Sequence, residues 1–222
     1  GALSPYQLAI KTAHQLRQVG YTSAVILRPD HWWGALVAFL AGIPERIGYA
    51  TRDVRPFLTH PLVHHHHHAI LQNLRLVERW TGGIHHDNIH YDYPIDEADS
   101  QFIEGYLADC GIAPEGRLLC IHPGAGTWVK RWDDHHWAQV ADTLSEQLEC
   151  TVVFTGGGHE LPMIRNIINQ MKNNACVMAG NTEIGQLAAL YARALVVIGP
   201  DSGPMHLAAA VKTPTVSLFG PA

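Results

Sequence analysis

Short apolar runs alternate with amphipathic segments through the second half of the chain, from Arg117 onward. The apolar runs are rich in β-branched residues and have the length of buried strands, whereas the segments between them have helical periodicity. The predicted strands are 118–122, 151–155, 176–178, 195–198 and 215–219, and the predicted helices are 134–148, 161–172, 184–192 and 204–211. This alternation predicts a parallel Rossmann-like sheet with flanking helices, in which the strands 195–198 and 215–219 are buried.

The first half of the chain has a related but less regular pattern. The predicted helices are 5–19, 31–41, 67–80 and 97–110, the predicted strands are 23–27 and 46–49, and a polar loop follows the second strand. The segment 85–94 is predicted to be irregular, and glycine and proline punctuate 111–116. We therefore expect an α/β protein with two Rossmann-like domains, 1–110 and 116–222, joined by a linker near 94–116.

The composition fits such a protein and excludes other classes. The chain has 222 residues, of which 47% are hydrophobic and 16% charged, so it can bury a sizeable core. Its formal net charge of −5 provides no basic field, and we expect no nucleic-acid partner. No apolar segment reaches transmembrane length and no signal peptide opens the chain, which favours the cytoplasm. The four cysteines lack C-x-x-C spacing and are expected to be reduced and buried.

A candidate anion site follows the strand 195–198. Asp201 and Ser202 are suited to cap the helix that begins there, and Gly203 would let a ligand approach the backbone closely. Free N–H groups and the helix dipole favour a phosphate at such a position. His206, about one turn into the helix, could donate a hydrogen bond to the same ligand.

Two further loops follow predicted strands and precede helices. Lys130 lies in the glycine-rich loop after 118–122, where an ammonium and backbone N–H groups suit a diphosphate, and Thr127 could donate a hydroxyl hydrogen bond. The T-G-G-G-H-E run at 155–160 also permits close approach of a ligand. Ligands of parallel sheets bind at the carboxyl ends of the strands, so we expect these loops to lie at one edge.

Three blocks of sequence resemble a known family. They are D-S-G-P-M-H-L-A-A-A at 201–210, I-H-P-G-A-G-T-W-V-K-R-W at 121–132 and F-L-A-G-I-P-E-R-I-G-Y at 39–49. Their order and spacing resemble glycosyltransferase family nine, the ADP-heptose:lipopolysaccharide heptosyltransferases. The resemblance implies the GT-B architecture, with an acceptor-side first domain and a donor-binding second domain. It also implies a cytoplasmic enzyme that transfers heptose, with inversion, from ADP-heptose or a related nucleotide sugar to an anionic inner-core lipopolysaccharide acceptor. Such an acceptor is compatible with peripheral contact at the inner face of the cytoplasmic membrane.

The resemblance also assigns roles to particular residues. The positions expected to bind the donor phosphates are Thr127, Lys130, Ser202, Gly203 and His206. Asp201 is expected either to contact the donor sugar or to cap the helix. The positions expected to bind the nucleoside are Gly156, Gly157, Glu160 and Thr182, with the Glu160 carboxylate on the ribose hydroxyls. The alternative for Glu160 is an acid in the first helical turn that complements the dipole. The candidates for the anionic groups of the acceptor are Arg46, Arg52 and Arg55.

The catalytic residue remains unassigned at this point. The family places its general base, an aspartate, in a first G-D loop that this sequence lacks. The sequence begins at Gly1 on a helical segment and stops at Ala222 just after a strand, so we expect an internal part of a longer enzyme. Without the first G-D loop, this part alone is expected to bind donor poorly and to be inactive or nearly so. Two other functions stay open, a nucleotide-sugar epimerase of GT-B-like fold and a non-catalytic nucleotide-sugar binding module.

The histidines suggest a metal site, which we do not predict. The chain has 16 histidines, including the run 64–68 and the positions 85, 86, 90, 135 and 136. Consecutive residues of a helix or strand cannot all point at one ion, and no spacing of cysteine or aspartate completes a ligand set. We therefore expect neither a metal nor another cofactor.

Overall fold

The structure, a computed structural model, describes residues 4–83 and 91–220. The chain divides into two compact units, Gly1–Ile89 and His90–Ala222. This division lies earlier in the chain than the expected boundary at 110–116. The helix Glu97–Asp109 belongs to the second unit because it packs on the helix Ile184–Arg193. Most of the predicted irregular segment 85–94 lies outside the described residues.

The first unit contains a small parallel sheet with helices. Its elements are α1 Ser4–Val19, β1 Ser23–Ile26, α2 Trp32–Leu40, β2 Glu45–Tyr49, a 3₁₀ turn Arg55–Phe57, β3 His60–Leu62 and α3 Ala69–Thr81. The strand order is β1-β2-β3, and both pairs are parallel. Strand β3 was not predicted, because its three residues His-Pro-Leu have neither the length nor the apolar character of a strand signal.

The second unit contains a five-stranded sheet. Its elements are α4 Glu97–Asp109, β4 Leu118–Ile121, α5 Asp134–Leu148, β5 Thr151–Phe154, α6 Leu161–Ile168, β6 Ala175–Val177, α7 Ile184–Arg193, β7 Val196–Pro200, α8 Gly203–Ala210 and β8 Thr215–Leu218. The strand order is β6-β5-β4-β7-β8, and every neighbouring pair is parallel. The predicted α/β class with parallel sheets and flanking helices is therefore confirmed.

Strand β4 lies at the centre of this sheet and is buried on both faces. Leu118 and Cys120 pack in a cluster with residues of α4, α7 and α8, whereas Leu119 and Ile121 pack in a second cluster with residues of α5 and α6. All four residues are 0% exposed. The continuous apolar run is explained by this position, because each face of a central parallel strand is covered by helices.

The prediction that 215–219 forms a buried strand was wrong. Thr215 and Val216 of β8 are exposed, and Phe219 is 77% exposed. Strand β8 is the last in the strand order, so within the described residues no strand pairs with its outer side. For the predicted strand 195–198 the expectation holds in part, since Val197 and Ile198 are buried, whereas Leu195 is 38% exposed.

Helix α6 is shorter than predicted, since it ends at Ile168 rather than near residue 172. The buried carboxylate of Asp142, on α5, accepts from the backbone N–H groups of Lys172 at 2.9 Å and Asn173 at 3.0 Å. These bonds hold the chain in a tight turn before β6, so the helical pattern is broken by a tertiary contact.

The expectation that all cysteines are reduced was also wrong. Cys110, which follows α4, forms a disulfide bond with Cys176 of β6. Their sequence separation is 66 residues, so the sequence pattern gave no sign of the pairing. Cys120 and Cys150 are free, and burial raises the pKa of both thiols. No helix in the described part of the chain is long and apolar enough to cross a membrane.

Candidate active site

Three loops of the second unit lie along the carboxyl edge of the sheet. They follow β5, β4 and β7, which are neighbours in the strand order. The loop after β4 carries Lys130, the loop after β5 carries 156–158, and the loop after β7 carries Ser202. Because parallel strands end at the same edge, this arrangement agrees with the expectation from the sequence.

Lys130 and Asp201 form the polar centre of this edge. Lys130 lies on a 3₁₀ turn, Trp128–Lys130, and its Nζ atom is 2.6 Å from Asp201 Oδ2. The same ammonium donates to the Asp201 backbone carbonyl at 3.3 Å. The hydrogen bond and the charge of Lys130 hold the pKa of Asp201 below its usual value, and His206 adds to this effect. Asp201 is therefore ionised at neutral pH and Lys130 has a carboxylate partner.

Ser202 occupies the N-cap position of α8, but its side chain does not cap the helix. Its Oγ atom is buried and, in the part of the chain that the structure describes, has no hydrogen-bond partner. A Cβ atom added to Gly203 would meet no atom within 4 Å. At the start of α8 the Ser202 hydroxyl therefore lies beside open space at Gly203, while Pro204 has no N–H and the Met205 N–H donates to the Ser202 carbonyl at 3.1 Å. Together with the helix dipole, this hydroxyl and this space suit an anionic ligand.

Two other predicted phosphate-binding residues lie close to this centre. Thr127 is exposed and immediately precedes the 3₁₀ turn that carries Lys130. His206 is exposed on α8, near enough to Asp201 for its charge to lower the pKa of that carboxyl. Neither side chain is packed into the core, so both are accessible to a ligand.

The predicted nucleoside loops are joined to each other through glycine backbones. The Gly180 N–H donates to the Gly156 carbonyl at 2.8 Å. Gly180 has a φ angle of +76°, and a Cβ atom there would lie 2.9 Å from Gly158 Cα. Thr182 is half-buried in the loop after β6, which also carries Gly180. The neighbouring Asn181 side-chain amide donates to the Tyr106 hydroxyl at 3.1 Å. Close packing of these two loops therefore requires glycine at position 180, whereas a Cβ atom on Gly158 would lie 4.0 Å from Gly180 Cα.

Glu160 connects the loop after β5 with the loop after β4. Its side chain is buried, and Oε2 accepts from the Gly157 N–H at 2.7 Å. A Cβ atom on Gly124 would overlap the Glu160 carboxylate, so the two loops touch through this side chain. The second oxygen, Oε1, is 3.9 Å from His159 Nε2. The carboxylate thus closes its own turn and stands between the loops after β4 and β5.

Sequence reasoning missed a buried row of three hydrogen-bonding side chains beneath these loops. His122 Nδ1 lies 3.2 Å from Thr155 Oγ1, which lies 2.9 Å from the Tyr191 hydroxyl. Burial lowers the pKa of His122, and the charge of Glu160 partly opposes this effect. The available signal was that His122 lies in the I-H-P-G-A block and Thr155 begins the T-G-G-G run. These three side chains connect the ends of β4 and β5 to α7.

The three arginines proposed for the acceptor differ in their environments within the first unit. The Arg46 guanidinium donates to the carbonyl groups of Phe57, at 2.7 Å, and Ile43, and it lies 5.5 Å from the Phe39 ring centroid. Arg46 is therefore engaged with its own unit. Arg52 and Arg55 are exposed.

The histidine run lies between β3 and α3. His68 occupies the N-cap of α3, where its Nδ1 atom accepts from the Ile70 N–H at 3.4 Å. Among residues 4–83 and 91–220, no group of three or more potential ligands could hold a metal ion. His85, His86 and His90 lie outside the described residues.

Comparison with known proteins decides the family of this chain. The family model described as glycosyltransferase family 9 (heptosyltransferase) matches residues 9–222. The chain belongs to this family. Lipopolysaccharide heptosyltransferase 2 of Escherichia coli (strain K12) is 29% identical over 233 residues, which cover 95% of this chain and 63% of that protein. The chain thus spans less than two thirds of that curated relative.

Two solved structures share the fold. The glycosyl transferase family 9 from Veillonella parvula DSM 2008 is 25% identical with a TM-score of 0.73, and the match covers 96% of this chain and 62% of that one. The ADP-heptose lps heptosyltransferase II of E. coli is 24% identical with a TM-score of 0.70, covering 96% and 67%. The family membership expected from the three motif blocks is confirmed.

Proposed function

We propose that the protein is an inverting glycosyltransferase that moves a heptose from ADP-heptose to an anionic inner-core lipopolysaccharide acceptor. Membership of the heptosyltransferase family supports the reaction class. The observation that carries the proposal is the group formed by Lys130, Asp201, Ser202 and Gly203. It combines an ammonium, a buried hydroxyl that has no partner among the described residues, and open space at a helix N-terminus, all at the carboxyl edge of a parallel sheet.

The leaving group of this reaction is a nucleoside diphosphate, whose negative charge grows as the glycosidic bond breaks. Stabilisation needs donors that are already in place where that charge develops. The Lys130 ammonium, the Ser202 hydroxyl and the Gly203 N–H at the start of α8 would serve the diphosphate, with Thr127 and His206 at its margin. The positive charge comes from side chains and a helix dipole, and the proposal needs no metal.

The nucleoside would lie against the loops that carry Gly156, Gly157 and Thr182. These loops share the hydrogen bond from the Gly180 N–H to the Gly156 carbonyl and the contact between Gly158 and Gly180, so they lie side by side. Glu160 would accept from the ribose hydroxyls through Oε1, while Oε2 keeps its bond to the Gly157 N–H.

The acceptor hydroxyl must lose a proton during transfer, which requires a general base. We assign this role to no residue of the chain. Arg52 and Arg55 are the remaining candidates for anionic groups of the acceptor, because Arg46 is already bonded to its own unit. Since that acceptor is lipid-anchored, we propose a cytoplasmic location with peripheral contact at the inner membrane face.

The test is a transfer assay with the intact protein, ADP-heptose and a heptose-deficient lipopolysaccharide core. We expect ADP release that depends on the acceptor, and a product whose anomeric configuration is opposite to that of the donor. Isomerisation of the sugar without an acceptor would instead support the nucleotide-sugar epimerase. Tight ADP-heptose binding without any turnover would support the non-catalytic module.

A further inference from the structure

Lys130 is already paired in the free protein. Its ammonium contacts both the Asp201 carboxylate, at 2.6 Å, and the Asp201 backbone carbonyl, at 3.3 Å. The side chains of Lys130 and Asp201 are 43% and 36% exposed, so this pair faces solvent rather than the core. A phosphate that binds Lys130 therefore competes with a carboxylate that belongs to the protein.

In contrast to the Asp201 carboxylate, the two residues after it have features that suit an anion. The Ser202 hydroxyl is buried without a partner among residues 4–83 and 91–220, and the space at Gly203 is open within the same part of the chain. A carboxylate thus stands directly beside a position built for an anion. Such a carboxylate repels an adjacent phosphate but can accept hydrogen bonds from hydroxyl groups.

We propose that Asp201 is a specificity-determining residue that favours the nucleotide-sugar donor over the nucleoside diphosphate product. This inference rests on the proposed function. In the donor, the terminal phosphate is esterified and followed by a sugar whose hydroxyls can donate to Asp201. In the product, the terminal phosphate is free and carries up to one more negative charge, since its last pKa is about 6. Asp201 thereby weakens the binding of the product more than the binding of the donor.

The protonation state of Asp201 supports this role. The hydrogen bond from Lys130 and the charges of Lys130 and His206 hold the pKa of Asp201 below its usual value. The carboxylate is therefore charged throughout the neutral range. When a ligand phosphate takes over Lys130, the freed Asp201 carboxylate remains beside the terminal group of that ligand.

The experiment measures the affinities of ADP and ADP-heptose for the intact wild-type protein and its Asp201→Asn variant by calorimetry. Asparagine keeps the shape of the side chain and removes its charge. We expect ADP to bind roughly two- to tenfold more tightly to the variant, since exposed ion pairs are weak. The affinity for ADP-heptose should stay the same or fall, so the ratio of the two affinities shifts toward ADP. Inhibition of transfer by ADP should strengthen accordingly, and Asp201→Glu should restore much of the wild-type ratio.

The control is Asp92→Asn, because Asp92 lies near the C-terminal end of α8, whereas Asp201 precedes its N-terminal end. Asp92 pairs with Lys212 at 3.3 Å, just beyond the last turn of α8. This variant changes the net charge by the same amount away from the proposed site, and its affinity ratio should equal that of the wild type. Asp201→Ser serves as a second charge-removing variant if Asp201→Asn folds poorly.

Two negative results have different meanings. If Asp201→Asn binds ADP and ADP-heptose equally more weakly, or if the ratio of the two affinities is unchanged, Asp201 merely holds Lys130. That result would overturn this inference and leave the proposed function standing. A folded wild-type protein that binds neither ADP nor ADP-heptose would overturn the proposed function and this inference with it.

Discussion

Gly158 and Gly180 bring two loops of the sheet edge into backbone contact. A Cβ atom on Gly180 would lie 2.9 Å from Gly158 Cα, and Gly180 has a φ angle of +76°. The contact fixes the loop after β6 against the loop after β5. These are the loops proposed to hold the nucleoside, so their packing and ligand binding should be coupled.

Replacement of Gly180 by alanine tests this relationship. We expect the free energy of unfolding to fall by about 1–3 kcal/mol, from the left-handed backbone and the clash together, with weaker ADP binding. The matched control is Gly82→Ala, because Gly82 has the same φ of +76° and no atom within 4 Å of its added Cβ. Equal losses in Gly180→Ala and Gly82→Ala by denaturant titration would mean that the glycine contact contributes nothing.

The open space at Gly203 predicts a variant that folds but does not bind. A Cβ atom at this position meets no atom of the described residues within 4 Å, so Gly203→Val should unfold near the wild-type temperature. Its branched side chain should block the phosphate position and abolish ADP binding in calorimetry. Gly199→Val is the contrast, since a Cβ there would lie 2.7 Å from the His122 carbonyl oxygen, and that variant should lose stability. Normal ADP binding by folded Gly203→Val would exclude the proposed phosphate position.

Loss of the Lys130 ammonium should weaken ADP binding with little effect on folding. A charge-assisted hydrogen bond contributes about 1.5–3 kcal/mol, so Lys130→Ala should lower the affinity by roughly ten- to a hundredfold. Lys212→Ala is the control, since Lys212 also pairs with an aspartate but lies beyond the far end of α8. An unchanged ADP affinity and transfer rate in Lys130→Ala would remove this residue from the site.

The buried imidazole of His122 should make the fold sensitive to acid. Burial lowers its pKa in the folded state, so below about pH 6.5 the unfolded chain binds the proton more readily. The free energy of unfolding should therefore decrease as pH falls from neutral toward the folded-state pKa, with Glu160 reducing the effect. His122→Asn cannot take up this proton, so denaturant titrations at pH 7.5 and 5.5 should differ less in this variant. The same pH dependence in both proteins would assign the sensitivity to other groups.

Removal of divalent ions should leave transfer activity largely intact. The proposed site supplies its positive charge through Lys130 and the N-terminus of α8, so a chelator has no ion to remove from it. The measurement is the transfer rate before and after dialysis against a chelator, with re-addition of individual metals as the control. Abolished activity that one metal restores would contradict a metal-free diphosphate site.

Local patterns were sufficient to predict much of the fold. The strands β4, β5 and β7 and the helices after them follow from apolar runs and helical periodicity, which depend on neighbours in sequence. The parallel arrangement then brings the loops with Lys130, Gly156 and Ser202 to one edge of the sheet. The family motifs in these loops were visible for the same reason, because each motif is a short continuous segment.

Contacts between distant segments required the tertiary structure. The Lys130–Asp201 pair joins residues 71 positions apart, and His122, Thr155 and Tyr191 meet only because β4, β5 and α7 pack together. The exposure of β8 likewise depends on its place at the end of the strand order. The sequence by itself determined the elements and the candidate ligand loops, whose signals are local. Only the tertiary structure decided which charges pair and which polar groups are buried, because those energies depend on neighbours in space.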